Sequence, residues 1–180
     1  MNQRSYAHQV LEYFGMENCA PATTPMQELM VDLNAEPCDL TCYCSMVGKL
    51  NHLTHTRFDI STTVGICSRF LACHQQLHLQ AAGRVITNIK HTSDYGILYL
   101  SKPNTNITGF VDTDWARDMT DGRSTMGFIF MLGSSPITWL LKKQPKVAMS
   151  SIELEYIGLS TTSKEAAWLA KLTSDFGLQT

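Results

Sequence analysis

The chain has 180 residues, enough for one domain or two small ones, and 44% of them are hydrophobic, enough to supply a core. Its formal net charge of −2 excludes bulk attraction to nucleic acid or to an acidic membrane surface, so any such contact needs a local basic patch. No run of about 18 apolar residues occurs, so no transmembrane helix is expected. The start, MNQRSYAHQVLEYFG, lacks the continuous apolar core of a signal peptide.

Residues 1–16 read as a short amphipathic helix closed by Gly15. Residues 17–40 are irregular, because Pro21, Pro25 and Pro37 break any periodicity. From 41 to 73 apolar groups recur at helical spacing: Val47, Leu50 and Leu53, then Ile60, Val64, Cys67 and Leu71. This predicts two helices joined by HTRFD. A further helix covers 75–91, with Leu79, Ala82, Val85, Ile86 and Ile89 on one face. After Ser93 the period changes. YGILYL, NITGFVDTDW, TMGFIFMLGS and SPITWLLKKQ read as four strands separated by turn-rich segments. From Ser150 to Gly177 the helical period returns. The fold class is therefore α+β, with a helical segment over 1–92 and a strand-then-helix unit over 93–180. Cys19, Cys38, Cys42, Cys44, Cys67 and Cys73 show no disulfide framework and read as free thiols.

Chemistry concentrates in the second half. Asp112 and Asp114 stand two apart at the end of an apolar strand and share a face. Ser150 and Glu153 have the spacing of a capping box, which gives Glu153 a structural task. Glu155 falls beside an apolar stripe of Ile152, Tyr156 and Leu159, where a carboxylate is costly unless it meets a cation. Carboxylates converging from a strand and a helix can bridge two divalent metals and activate water. On spacing alone the alternative stands: Asp114 and Asp118 serve a turn and Glu155 reaches solvent. His74 and His78, with Cys73 beside them, and Cys42 with Cys44 match no standard zinc spacing and read as surface or part-buried side chains. His52 and His55 flank a helix end with nothing to support a catalytic role. Trp139 and Trp168 read as core. Lys142, Lys143 and Lys146 form a basic cluster that can contact phosphate or simply end a strand in solvent.

GFVDTDWARD, DGRSTMGFIFMLG, ITWLLKKQPKVAMSSIELEY and KEAAWLAKL, in that order, resemble the ribonuclease H region of copia-type (Ty1/copia) retrotransposon polyproteins. FGMENCAPATTPM, YCSMVGKLNHLTHTRFDI, SRFLACHQQLHLQAAGRVI and DYGILYL resemble the end of the reverse transcriptase just before it. Together these motifs span essentially the whole chain. The resemblance implies a truncated ribonuclease-H-like antiparallel meander with a C-terminal helix. It places the first catalytic acid on Asp112 and the helix acid on Glu155, with Asp114 at a motif position. The family's further acids would lie beyond Thr180, and the Tyr-x-Asp-Asp pair of the reverse transcriptase would precede residue 1. Within the motifs, Arg117 stands for a Gly, Phe58 for a Pro, Leu79 for a Trp, Gly83 for a Lys and Cys44 for an Arg.

Two carboxylates of a four-acid site hold metal poorly. The expectation is a non-enzymatic chain with Asp112 and Glu155 vestigial and no cofactor or metal bound; the alternative is a metal-dependent RNA–DNA hybrid ribonuclease. An apolar strand left at a sheet edge would favour self-association, and nucleic-acid contact at the lysine cluster would be weak. The chain, including its start, also resembles copia-derived members of the secreted RxLR-type effectors of oomycete plant pathogens. That implies export into plant cells, an unknown host partner and suppression of defence and cell death. No Arg-x-Leu-Arg is present (SRFLA at 68–72 is not one). The alternative location is the nucleus or cytoplasm of the producing cell.

Overall fold

In a computed structural model of the chain the described residues are 1–26, 36, 38–100, 106–112, 124–144 and 150–177. They form an α+β mixture of five helices and three strands, divided into units Met1–Ile97 and Leu98–Thr180.

The first unit holds four helices, α1 (Arg4–Tyr13), α2 (Leu40–Leu53), α3 (Phe58–Arg69) and α4 (Gln76–His91). α1 runs into Gly15 at φ 64, a left-handed position that glycine takes without a Cβ penalty. Asp39 caps α2 by accepting from the N–H groups of Thr41 at 2.8 Å and Cys42 at 3.4 Å. Phe58 is the first residue of α3, a position that favours proline; this fits the Pro expected there. The apolar faces meet in one core: Val10 and Leu11 of α1, Tyr43, Val47 and Leu50 of α2, Ile60, Val64 and Cys67 of α3, and Ala82, Val85, Ile86 and Ile89 of α4. All six cysteines are free thiols.

Polar groups inside this core are satisfied where helix ends meet. The Tyr43 hydroxyl donates to the Cys67 carbonyl at 2.6 Å, fully buried. Burial raises its phenol above the ordinary range. Arg57, buried just before α3, donates to the Thr92 carbonyl at 2.9 Å and to Thr92 Oγ1 at 2.7 Å. It also holds the half-exposed Asp59 at 2.8 and 2.7 Å, and its guanidinium lies 5.5 Å from the Tyr95 ring centre. One side chain thus ties the start of α3 to the end of α4.

The segment YGILYL is not a strand. Asn2 and Gly96 form an isolated antiparallel bridge, with Ile97 N–H donating to the Met1 carbonyl at 2.8 Å. A Cβ on Gly96 would collide with Met1 O, so only glycine allows this approach. Tyr95, Leu98, Tyr99 and Leu100 are exposed, which removes the alternating burial a strand needs.

The second unit is a meander, β1 (Ile107–Asp112), β2 (Thr125–Leu132) and β3 (Ser135–Lys143), in spatial order β1-β2-β3 and antiparallel throughout, followed by α5 (Ser151–Asp175). A two-residue turn with Gly133 at φ 59 joins β2 to β3, and a bulge falls at Phe130/Met131. Met126, Phe128 and Phe130 point to one face and pack with Leu169 of α5, Ile107 and Ile137. The buried face of α5 runs through Leu154, Gly158, Leu169 and Thr173. Ile152, Tyr156 and Leu159, the expected core stripe, are instead 64%, 70% and 51% exposed. α5 carries two apolar stripes, and periodicity does not say which one the sheet takes.

Two outcomes follow from the first unit. Arg57→Ala removes the link to Thr92 and strands a buried carbonyl; we expect a loss of about 3 kcal/mol in urea unfolding. His78 is buried and stacked on Phe70 at 3.9 Å between ring centres. Its Nδ1 accepts from Gln75 N–H at 3.1 Å, so the neutral ring carries its proton on Nε2, which is buried without a partner among the described residues. Burial, and then the neighbouring His74, hold its pKa below 6.5. The unfolded chain therefore binds the proton more readily. This contribution is complete above about pH 6.5 and is lost as pH falls through the depressed folded value. Urea midpoints measured from pH 7.5 down to pH 5 should fall, and His78→Leu should flatten that slope.

Candidate functional site

Asp112 is the last residue of β1 and pairs with Gly127 of β2. It is exposed. Val111 pairs with Phe128 and Gly109 with Phe130, on the face that α5 covers. By strand alternation Asp112 points to the other face. β1 pairs with β2 on one side only among the described residues, and Thr108 to Asp112 are all exposed. Asp114, Trp115, Arg117 and Asp118 lie outside the described residues, so the expected Asp112–Asp114 pairing belongs to no described geometry.

Glu155 stands one residue past the buried Leu154, in the first turns of α5. Ser150 starts that helix as expected, its Oγ accepting from Glu153 N–H at 3.1 Å. The carboxylate of Glu155 is exposed rather than turned inward, because the buried stripe passes through Leu154 and Gly158. α5 lies against β1 and β2, so the two acids sit on neighbouring elements. Among the described residues no group of three or more His, Cys, Asp or Glu side chains could hold a metal ion. A strand acid and a helix acid in water can each take a hydrated cation weakly, but a metal held firmly enough to activate water needs more oxygen donors.

The basic cluster divides. Lys142 pairs with Met126 and Lys143 with Thr125, so the two ammonium groups leave the sheet on opposite faces. Lys142 is exposed and Lys143 half-buried, while Lys146 lies outside the described residues. Gln144 follows them, buried, with neither amide atom hydrogen-bonded among the described residues. Of the histidines, His78 is core and His52 packs against α1, 4.6 Å from the Tyr6 ring, with Gln3 Nε2 donating to its carbonyl. Cys44 and Cys73 are exposed and Cys42 half-buried. Trp139 is half-buried, but Trp168 is 54% exposed and is not core.

The fold and site define an α+β protein with one carboxylate ending a strand and another on the helix that covers the sheet. No protein-family model matches the chain, and no solved structure matches it. It is similar to the retrovirus-related Pol polyprotein from transposon RE1 of Arabidopsis thaliana, 37% identical over 183 residues, which cover 99% of this chain and 12% of the polyprotein. An uncharacterized mitochondrial protein of the same plant is 36% identical over 93% of this chain and 71% of its own length. The Secreted RxLR effector protein 161 of Plasmopara viticola is 38% identical over 132 residues, 73% of this chain and 93% of that protein. The chain belongs to the copia-type retrotransposon Pol family. It spans about an eighth of the length of the transposon polyproteins it matches (12%).

Ser150→Ala should cost about 1 kcal/mol, because the first turn of α5 loses its cap. Glu155→Gln on the exposed flank should change stability by less than about 0.5 kcal/mol. Urea titrations of both variants check the contrast.

Proposed function

We propose that the chain is a non-enzymatic protein of retroelement descent that works as a secreted pathogen effector inside plant host cells, where it suppresses defence and cell death through a host protein. The observation that carries this reading is the similarity to a protein named as a secreted RxLR effector, matched over 93% of that protein's length. Asp112 and Glu155 are both exposed. In this reading the first unit descends from the end of a reverse transcriptase and the second from a ribonuclease H. Asp112 and Glu155 are vestiges of its metal site. Lys142 makes at most weak phosphate contact, because Lys143 leaves the opposite face.

A second reading is favoured by the match to transposon polyproteins over 99% of this chain. It is a metal-dependent RNA–DNA hybrid ribonuclease in the producing cell, with Asp112 and Glu155 as two of the acids that position its metals.

Leaves expressing the chain together with a cell-death elicitor should show reduced death. Undiminished death at confirmed protein levels sinks the effector reading. Purified protein with magnesium or manganese should leave an RNA–DNA hybrid intact. Cutting that disappears in Asp112→Asn would install the nuclease reading instead.

A further inference from the structure

The outward face of α5 is patterned. Ile152, Tyr156, Leu159, Ser163, Ala166 and Ala170 follow one another at intervals of four, three, four, three and four, and all six are exposed. This is the spacing of a helix–helix seam. It runs beside the buried line of Leu154, Gly158, Leu169 and Thr173, roughly a third of a turn round the helix and nearest to it at Ala166 and Ala170, and its side chains are left exposed by the sheet. Its first half is large, with Ile152, Tyr156 and Leu159 exposed by 64%, 70% and 51%. Its second half is small.

We propose that this stripe is a self-association surface, on which the α5 helices of two copies of the chain pack antiparallel about a two-fold axis. The gradation of size selects the partner and the direction. In an antiparallel pair Ile152 meets Ala170 of the second copy, Tyr156 meets Ala166 and Leu159 meets Ser163. Every large side chain then fills the space over a small one, and the axes can approach to about 8 Å. A parallel pair would stack Tyr156 on Tyr156 and leave the two alanine layers apart. Charge points the same way. Glu153 and Lys171 lie on the same flank of the stripe, and antiparallel pairing brings Glu153 of each copy beside Lys171 of the other. Parallel pairing would put the flanks carrying Glu153 and Lys171 on opposite sides of the interface, where they do not meet, whereas antiparallel pairing also sets each helix N-terminus against a C-terminus. The stripe spans about 27 Å at about 1.5 Å per residue. A single seam of this length buries less than a standard interface, so the dimer is weak, with a dissociation constant in the micromolar range.

Sedimentation velocity on the full chain across the micromolar range should show mass rising from monomer to dimer. Ala166→Phe should weaken the dimer about tenfold, because the new ring meets Tyr156 of the second copy. Tyr156→Ala combined with Ala166→Phe exchanges large for small on both copies and should restore association. Both positions are exposed, so circular dichroism should match the parent chain. A chain that stays monomeric throughout overturns the proposal. So does association that ignores Ala166→Phe and is lost in Phe110→Lys, which would place the contact at the β1 edge. Failure of the double variant to recover overturns the antiparallel register.

Discussion

The second unit depends on one contact, the seating of α5 over Met126, Phe128 and Phe130 of β2. Three strands do not hold together in water without a covered apolar face. Once those three side chains are fixed beneath the helix, strand alternation directs every neighbour. Val111 is directed to the face that α5 lies on, though it stays exposed, and Asp112 to the other, and Lys142 and Lys143 part company. The same contact decides which side of α5 is buried, and so turns Ile152, Tyr156 and Leu159 outward. The chemistry available at the surface is thus a by-product of the packing of three apolar residues.

The first unit is organised differently, around polar groups at helix ends. Tyr43 places a hydroxyl inside the core and needs the Cys67 carbonyl to make that tolerable. Arg57 places a charge there and needs Thr92 and Asp59. Such links add less net stability than apolar contacts of equal volume, but they fix which helix ends meet, because a misplaced partner leaves a buried group unsatisfied.

The helices of the first unit were legible because each has a single apolar face, broken by Gly15 and by the HTRFD connection. Three strands were legible for the same reason. Reading failed where two periods coexist or where a pattern lacks a neighbour. YGILYL has strand composition, yet it forms only the bridge at Gly96. α5 has two stripes of similar strength, and the choice between them is made by β2, which lies far off in the chain. Ser150 could be read because capping is local. The inward placing of Glu155 could not, because it rested on the wrong stripe. Asp59 two residues on is a local partner for Arg57, but nothing local marked its burial, which rests on Thr92 35 residues away.

Gly109 carries a consequence for how such a chain changes over time. A Cβ there would stand 2.6 Å from the ring of Phe130, which is buried and cannot give way. The ring of one strand occupies the gap left by the missing side chain of the other, so β1 is keyed into β2 and cannot slide along it. The address of Asp112, three residues away, is therefore maintained by a packing requirement that is indifferent to whether the carboxylate still has work. What holds Asp112 in place belongs to the fold, and it would persist through changes elsewhere in the chain that leave Gly109 and Phe130 alone.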